Sequence, residues 1–238
     1  MQYSRRFFVA ALGTAPFASK SQPIPACAMP NLGALSQRMG KAWLCMANAE
    51  LAAPAREVLA ASQTAFEQQL VQMSRNPAGP EQAGSLRALA RRYEDYQGLL
   101  AGAPVVEGQR MLLSTANEML TLAQLANTAR TTLPWQARMA SRQRLLSQRV
   151  ALLGLASSGV ESVRRERQTA IYEFEAGLQT LRNAGDAALR EQLALADAAW
   201  GPLKDGIGSG RPVPVFVASE RLLAVMDAVT AHCARMIA

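Results

Sequence analysis

From residue 30 to the C-terminus the apolar residues return at helical spacing almost throughout, and the pattern breaks at proline and glycine. The unbroken stretches predict helices at about 31–52, 54–76, 80–100, 106–131, 135–157, 159–184, 186–204 and 213–236. Eight helices and no strand make an all-α chain. A helix with one apolar stripe has to bury it against a neighbour, and short connections set consecutive helices antiparallel.

The eight helices read as two sets of four. Leu-Ser-Gln-Arg stands at 35–38 and again at 146–149, 111 positions apart. "AFEQQLVQMSRN" (65–76) matches "EFEAGLQTLRN" (173–183), "YQGLLAG" (96–102) matches "WGPLKDG" (200–206), and "NEMLTL" (117–122) matches "SERLLA" (219–224). The matches keep their order while the offset drifts from 111 to 102, the mark of an internal duplication with small deletions. The expectation is two tandem antiparallel four-helix bundles, residues 29–133 and 134–238, behind a leader at 1–28.

Charge placement on these helices suggests roles. Met139, Leu146, Val150 and Leu153 share a face of the fifth helix, and Arg149 falls among them, so the repeated Arg38 and Arg149 should point inward. Glu118 shares a face with Met111, Leu122 and Leu125, and Glu220 shares one with Val213 and Phe216. A buried charge needs a partner, so Arg38, Glu118, Arg149 and Glu220 are expected to form buried structural pairs, Glu220 serving Arg149. Arg144 lies about 160° from Leu146 on the wheel and should face outward. Met39, Met46, Met111, Met119 and Met226 sit at apolar positions and read as core filling.

The N-terminus begins "MQYSRRFFVAALGTAPFASK", with Ser4, paired Arg5 and Arg6, and Phe8 before a short, mildly apolar run too brief to span a bilayer. This is the pattern of a twin-arginine export signal, with cleavage after Ala28. The alternative is a lipoprotein cleavage box that leaves Cys27 acylated. Removing 1–28 takes away Arg5, Arg6 and Lys20 and no acid, so the formal net charge falls from +7 to +4. The basic stretch "VRRERQ" (163–168) is interrupted by Glu166 and reads as a solvated helix face, not a nucleic-acid site. A periplasmic protein without nucleic-acid partners is the expectation. Cys45 and Cys233 lie in apolar helical stretches and read as buried free thiols. A lone His232 beside Cys233, with no Cys-x-x-Cys, His-Glu-x-x-His, nucleophile elbow or glycine-rich phosphate loop, points away from an enzyme and from a metal or other cofactor.

The segment "ARMASRQRLLSQRVALLGLASSG" (137–159) resembles the first-helix signature of PilJ-type sensor domains, and "NLGALSQRMGKAWLCM" (31–46) resembles it more loosely. These are the periplasmic domains of type IV pili chemotaxis transducers, with relatives in nitrate and nitrite sensor kinases. In the nitrate-sensing relatives, the Arg three residues before the Ser-x-Arg segment contributes to an anion site where two subunits meet. The matching position is Arg144, with Arg142 two residues before it, and these two are the expected anion ligands; the first copy has Gly33 there instead. Ser141 stands where the motif usually carries Gly. "GSLRALARR" (84–92) has a similar look but sits on a third helix, so Arg87 is a decoy. The resemblance implies a periplasmic nitrate- or nitrite-binding module. It would act through a separate membrane receptor, sensor kinase or transporter, with a homodimer pairing two Arg144 side chains around the anion. A ligand-free helical interaction module is the alternative.

Overall fold

The computed structural model describes residues 31–128, 134–156 and 160–235, so the export signal expected at 1–28 and the Cys27 alternative lie outside the described residues. Among the described residues there are eight helices and no strand. They are α1 (Leu32–Cys45), α2 (Ala52–Arg75), α3 (Pro80–Ala101), α4 (Val106–Thr128), α5 (Trp135–Leu155), α6 (Glu161–Ala184), α7 (Ala187–Gly208) and α8 (Pro212–Arg235). The chain is all-α, as the periodicity predicts.

Two boundaries differ from the expectation for local reasons. α1 stops at Cys45, well short of 52, because Asn48 Oδ1 accepts from the backbone N–H of Glu50 at 3.0 Å and of Leu51 at 3.2 Å. That side-chain turn competes with continued helix and launches α2 instead. α7 runs to Gly208, past the expected end at 204, and stops where Gly210 takes φ +63°. Arg211 N–H then donates to Gly206 O at 2.9 Å and Gly210 N–H to Ile207 O at 3.2 Å, the Schellman closure that needs a left-handed residue.

In the first half α1 packs on α2 and α4, and α3 on α4; in the second half α5 packs on α6 and α8, and α7 on α8. The two sets meet through α1 and α5. These run parallel: a Cβ on Gly33 would stand 3.6 Å from Leu145 Cδ1, and one on Gly40 3.2 Å from Leu152 Cδ1, so the register advances the same way on both. With neighbours on several sides, α1 keeps no solvent face, and every residue of it except Arg38 is buried.

The cores repeat in detail. Phe66 stacks on Tyr93 with centroids 4.4 Å apart, and Phe174 stacks on Trp200 at the same separation. In each case the polar tip of the partner ring reaches the Glu that follows the Phe: Tyr93 Oη donates to Glu67 and Trp200 Nε1 to Glu175, both at 3.0 Å. The counterpart of Trp200 is therefore Tyr93, a turn earlier than the Tyr96 that the sequence match suggests. Burying one such ring contributes about 2–3 kcal/mol. Leu152 and Leu153 of α5 belong to the first core, and a small apolar cluster of Cys45, Leu51, Ala55 and Phe216 ties α1 and α2 to α8. Cys45 and Cys233 are unpaired and buried, and burial pushes the Cys45 thiol up to about 12.

The face assigned to α4 is corrected. Leu112, Ala116, Met119, Ala123 and Ala126 point into the core, while Met111 is 58% exposed, Leu125 is 52% exposed, and Glu118 is exposed with them. Both stripes are apolar enough to face inward. The alanine-rich one wins because small side chains let α4 approach α1 closely, whereas the bulkier Met111 stripe would hold it off.

Candidate functional site

The repeated tetrapeptide is a set of ties. Ser36 Oγ donates to Gly33 O at 2.8 Å and Ser147 Oγ to Arg144 O at 2.7 Å, each within its own helix. Gln37 Nε2 donates to Ala116 O on α4 at 3.0 Å, and Gln148 Nε2 to Ser219 O on α8 at 2.9 Å. Each Gln thus holds the fourth helix of its own half. The arginines reach across to the fourth helix of the other half, and Arg149 holds α6 of its own half as well. Arg38 forks onto Glu220 of α8, with Nε to Oε1 at 3.0 Å and Nη2 to Oε2 at 2.5 Å. Arg149 Nη1 donates to Asn117 Oδ1 of α4 at 2.8 Å, and its Nη2 to Glu166 Oε2 of α6 at 2.9 Å.

The expected pairing is corrected on these contacts. Glu220 serves Arg38 and not Arg149, and Glu118 pairs on the surface with Arg92. The residue of α4 that plays the part of Glu220 is Asn117, because the Gln bonds align Ala116 with Ser219 and so Asn117 with Glu220. The sequence match had aligned Glu118 with Glu220, one residue off.

A side chain not singled out from the sequence completes the first tie. Lys41 is fully buried, and its ammonium donates to Gln148 Oε1 at 2.7 Å, Ser219 Oγ at 2.8 Å and Glu220 Oε1 at 2.5 Å. Three protons meet three acceptors, so no donor is left unpaired. The Phe216 ring lies 5.4 Å from the nitrogen. Burial pulls the Lys41 pKa down, and Glu220 opposes it. Burial alone would raise the Glu220 carboxyl, but Lys41 and Arg38 outweigh it and hold it at about 2. The signal was present in "MGKAWLC": a lysine in a stretch with no polar face to carry it outward.

Arg144 is also corrected. It is 3% exposed, not outward, and its Nη1 lies 3.2 Å from Asp227 Oδ1 on α8. With its amide oriented to present Oδ1, Asn31 accepts from Arg144 Nη2 and Nε at 3.1 Å each. A wheel assigns one side of a helix to water, but α5 is wrapped by α1, α6 and α8. The two-subunit anion site expected around Arg144 therefore has no exposed guanidinium to build on.

Arg142 is exposed and sits at the mouth of a cavity of about 380 Å³ between α4, α5 and α6. Arg142, Arg149 and Arg165 line it, with Glu166 and Glu173 between them. Arg142 Nη2 donates to Glu173 Oε2 at 2.7 Å. Burial lowers the Arg149 pKa, while Glu166 and Glu173 support its charge. Arg165 is largely exposed and its Nε donates to Glu161 Oε1 at 2.9 Å, so guanidiniums lining the hollow can hold an anionic group by exchanging exposed carboxylate partners for it. Arg87 is exposed on α3 and takes no part. His232 lies in the last turn of α8 with Nε2 3.4 Å from Asp186 Oδ2. Comparison with family models, curated proteins and solved structures returned no match at a significant level.

Proposed function

We propose that the chain is an exported, anion-binding helical module built from two duplicated four-helix bundles, with nitrate or nitrite as the anion that the PilJ-type resemblance implies. The observation that carries the reading is the convergence of Arg142, Arg149 and Arg165 on the cavity between α4, α5 and α6. The duplication is supported by the recurring Ser, Gln and ring geometries of the two halves. Export rests on the Ser4 to Phe8 pattern, and a membrane receptor, sensor kinase or transporter is the partner through which binding would be read out. No helix among the described residues is long and apolar enough to cross a membrane.

Thermal melting with nitrate, nitrite and chloride tests it, because a ligand that binds only the folded state raises the midpoint. Nitrate or nitrite should raise it above the chloride control in wild type and not in Arg142→Ala. Arg142 is exposed, so its loss barely changes the free protein. Equal midpoints in all three salts would remove nitrate and nitrite as the anion. The interaction-module reading would then gain from the exposed stripe of Met111 and Leu125 on α4.

A further inference from the structure

We propose that the cavity between α4, α5 and α6 is the site of a monocarboxylate with an apolar body, an aliphatic or aromatic acid of medium size. The proposal rests on the anion-binding reading of this cavity and exchanges the inorganic anion for an organic one.

Size is the first argument. A hollow of about 380 Å³ holds about a dozen waters at roughly 30 Å³ each, whereas an ion such as nitrate replaces only one or two of them. The second is the lining. Leu120, Leu145, Leu146 and Ala170 form an apolar wall facing the arginines. An inorganic ion gains nothing from that wall, while a hydrocarbon body is drawn to it by removal of apolar surface from water. The third is charge. Each guanidinium has a carboxylate partner, Arg142 with Glu173, Arg149 with Glu166 and Arg165 with Glu161, and the Arg142 and Arg165 pairs are exposed and exchangeable. One ligand carboxylate can take the place of Glu173 on Arg142; a second on the same ligand would be pressed against Glu166 or the displaced Glu173. The Arg142–Glu173 pair is itself 51% and 37% exposed, so exchanging Glu173 for a ligand carboxylate sacrifices only a weak surface pair.

The second half explains why the hollow exists on one side. There Arg144 reaches Asp227 and occupies the space beside α8. By the Ala116–Ser219 correspondence the counterpart of Asp227 is Gln124, which lines the cavity, and the counterpart of Arg144 is Gly33. A Cβ on Gly33 would already stand 3.1 Å from Leu120 Cδ1 and 3.6 Å from Leu145 Cδ1, two of the lining leucines. Glycine lets those leucines close over α1 as an apolar floor, and no arginine arises there to fill the space above them. One half carries a built-in ion pair where the other has Gly33 and Gln124 beside the hollow.

Isothermal titration of the full chain with acetate, hexanoate, benzoate, succinate, nitrate and hexanol separates the possibilities. Hexanoate or benzoate should bind at least tenfold tighter than acetate and succinate, and hexanol, with the same body and no charge, should bind weakly or not at all. Thr169→Trp places a large ring at an exposed position on the rim and should abolish hexanoate binding without moving the melting midpoint of the free protein. Arg142→Ala should weaken it about tenfold or more. Nitrate binding that is lost in Arg142→Ala, with hexanoate no tighter than acetate, would overturn this ligand class and leave the anion reading standing. No heat with any anion would overturn both. Hexanoate binding unchanged in Thr169→Trp would place the acid elsewhere and also overturn the proposal.

Discussion

Glu220→Gln is the most informative single change, because one carboxylate serves two cations across the two halves. Lys41 is fully buried and cannot turn to water, and the Arg38 and Glu220 side chains are 21% and 22% exposed. Stripping the charge from Glu220 leaves a buried ammonium and a largely buried guanidinium facing one another, which costs about 3–5 kcal/mol. The carboxyl itself gives a second route to the magnitude. It drops from 4.5 to about 2, which corresponds to about 3 kcal/mol of stabilisation of the charged form. A depressed carboxyl contributes stability that is present above the unfolded value and is lost as pH falls through the folded one. Wild type should therefore lose that increment between about pH 4.5 and about pH 2, and Glu220→Gln should show a correspondingly flatter curve there. Urea denaturation at pH 7 followed by circular dichroism should show a lower midpoint with an unchanged slope. Adding Lys41→Met removes the stranded ammonium, so the double variant should be more stable than Glu220→Gln alone, with a coupling of about 2–3 kcal/mol. A cost below about 1 kcal/mol, or two additive substitutions, would refute the buried tie.

Two further outcomes follow from the corrected placements. Arg144→Ala removes a buried, ion-paired side chain and should cost about 1–3 kcal/mol in the same urea assay, since half-exposed Asp227 regains water but Arg144's own packing is lost. Glu118→Ala breaks a surface pair with Arg92 and a long exposed bond from Ser114 Oγ and should cost at most about 1 kcal/mol, read as a melting midpoint within a few degrees of wild type.

The helices were legible because each alternates apolar stripes with breaks of known chemistry, and the one early stop, at Cys45, turned on a single asparagine side chain rather than on proline or glycine. Facing directions were legible only for helices with one buried side. On α8 Glu220 and Phe216 turn inward as the wheel predicts. On α4 two apolar stripes compete, and the choice depends on how near α1 must come, which the local pattern does not carry. On α1 the wheel has no solvent direction to refer to, and on α5 water reaches only the side that carries Arg142, from which Arg144 turns away, which is why Lys41 and Arg144 are buried in spite of their charge. The site divides the same way. Arg142, an expected anion ligand, lines the cavity, but the sequence marks Arg149 only as a structural residue, and Arg165, Glu166 and Glu173 come to it from a different helix. That convergence is tertiary, so no spacing along the chain records it.

The crossed ties have a mechanical meaning. Each glutamine grips its own half while Arg38, Lys41 and Arg149 grip the other, so the parallel central helices are pinned to both fourth helices at once. Sliding α1 along α5 by a single turn, about 5.4 Å, would pull Lys41 off Glu220 and Gln148 and at the same stroke draw Arg149 away from Gln37. The two halves therefore cannot act as a piston against each other. Any displacement that an occupant of the cavity imposes has to emerge chiefly as a tilt of α6, since α4 and α5, the other helices of its walls, are among the pinned ones.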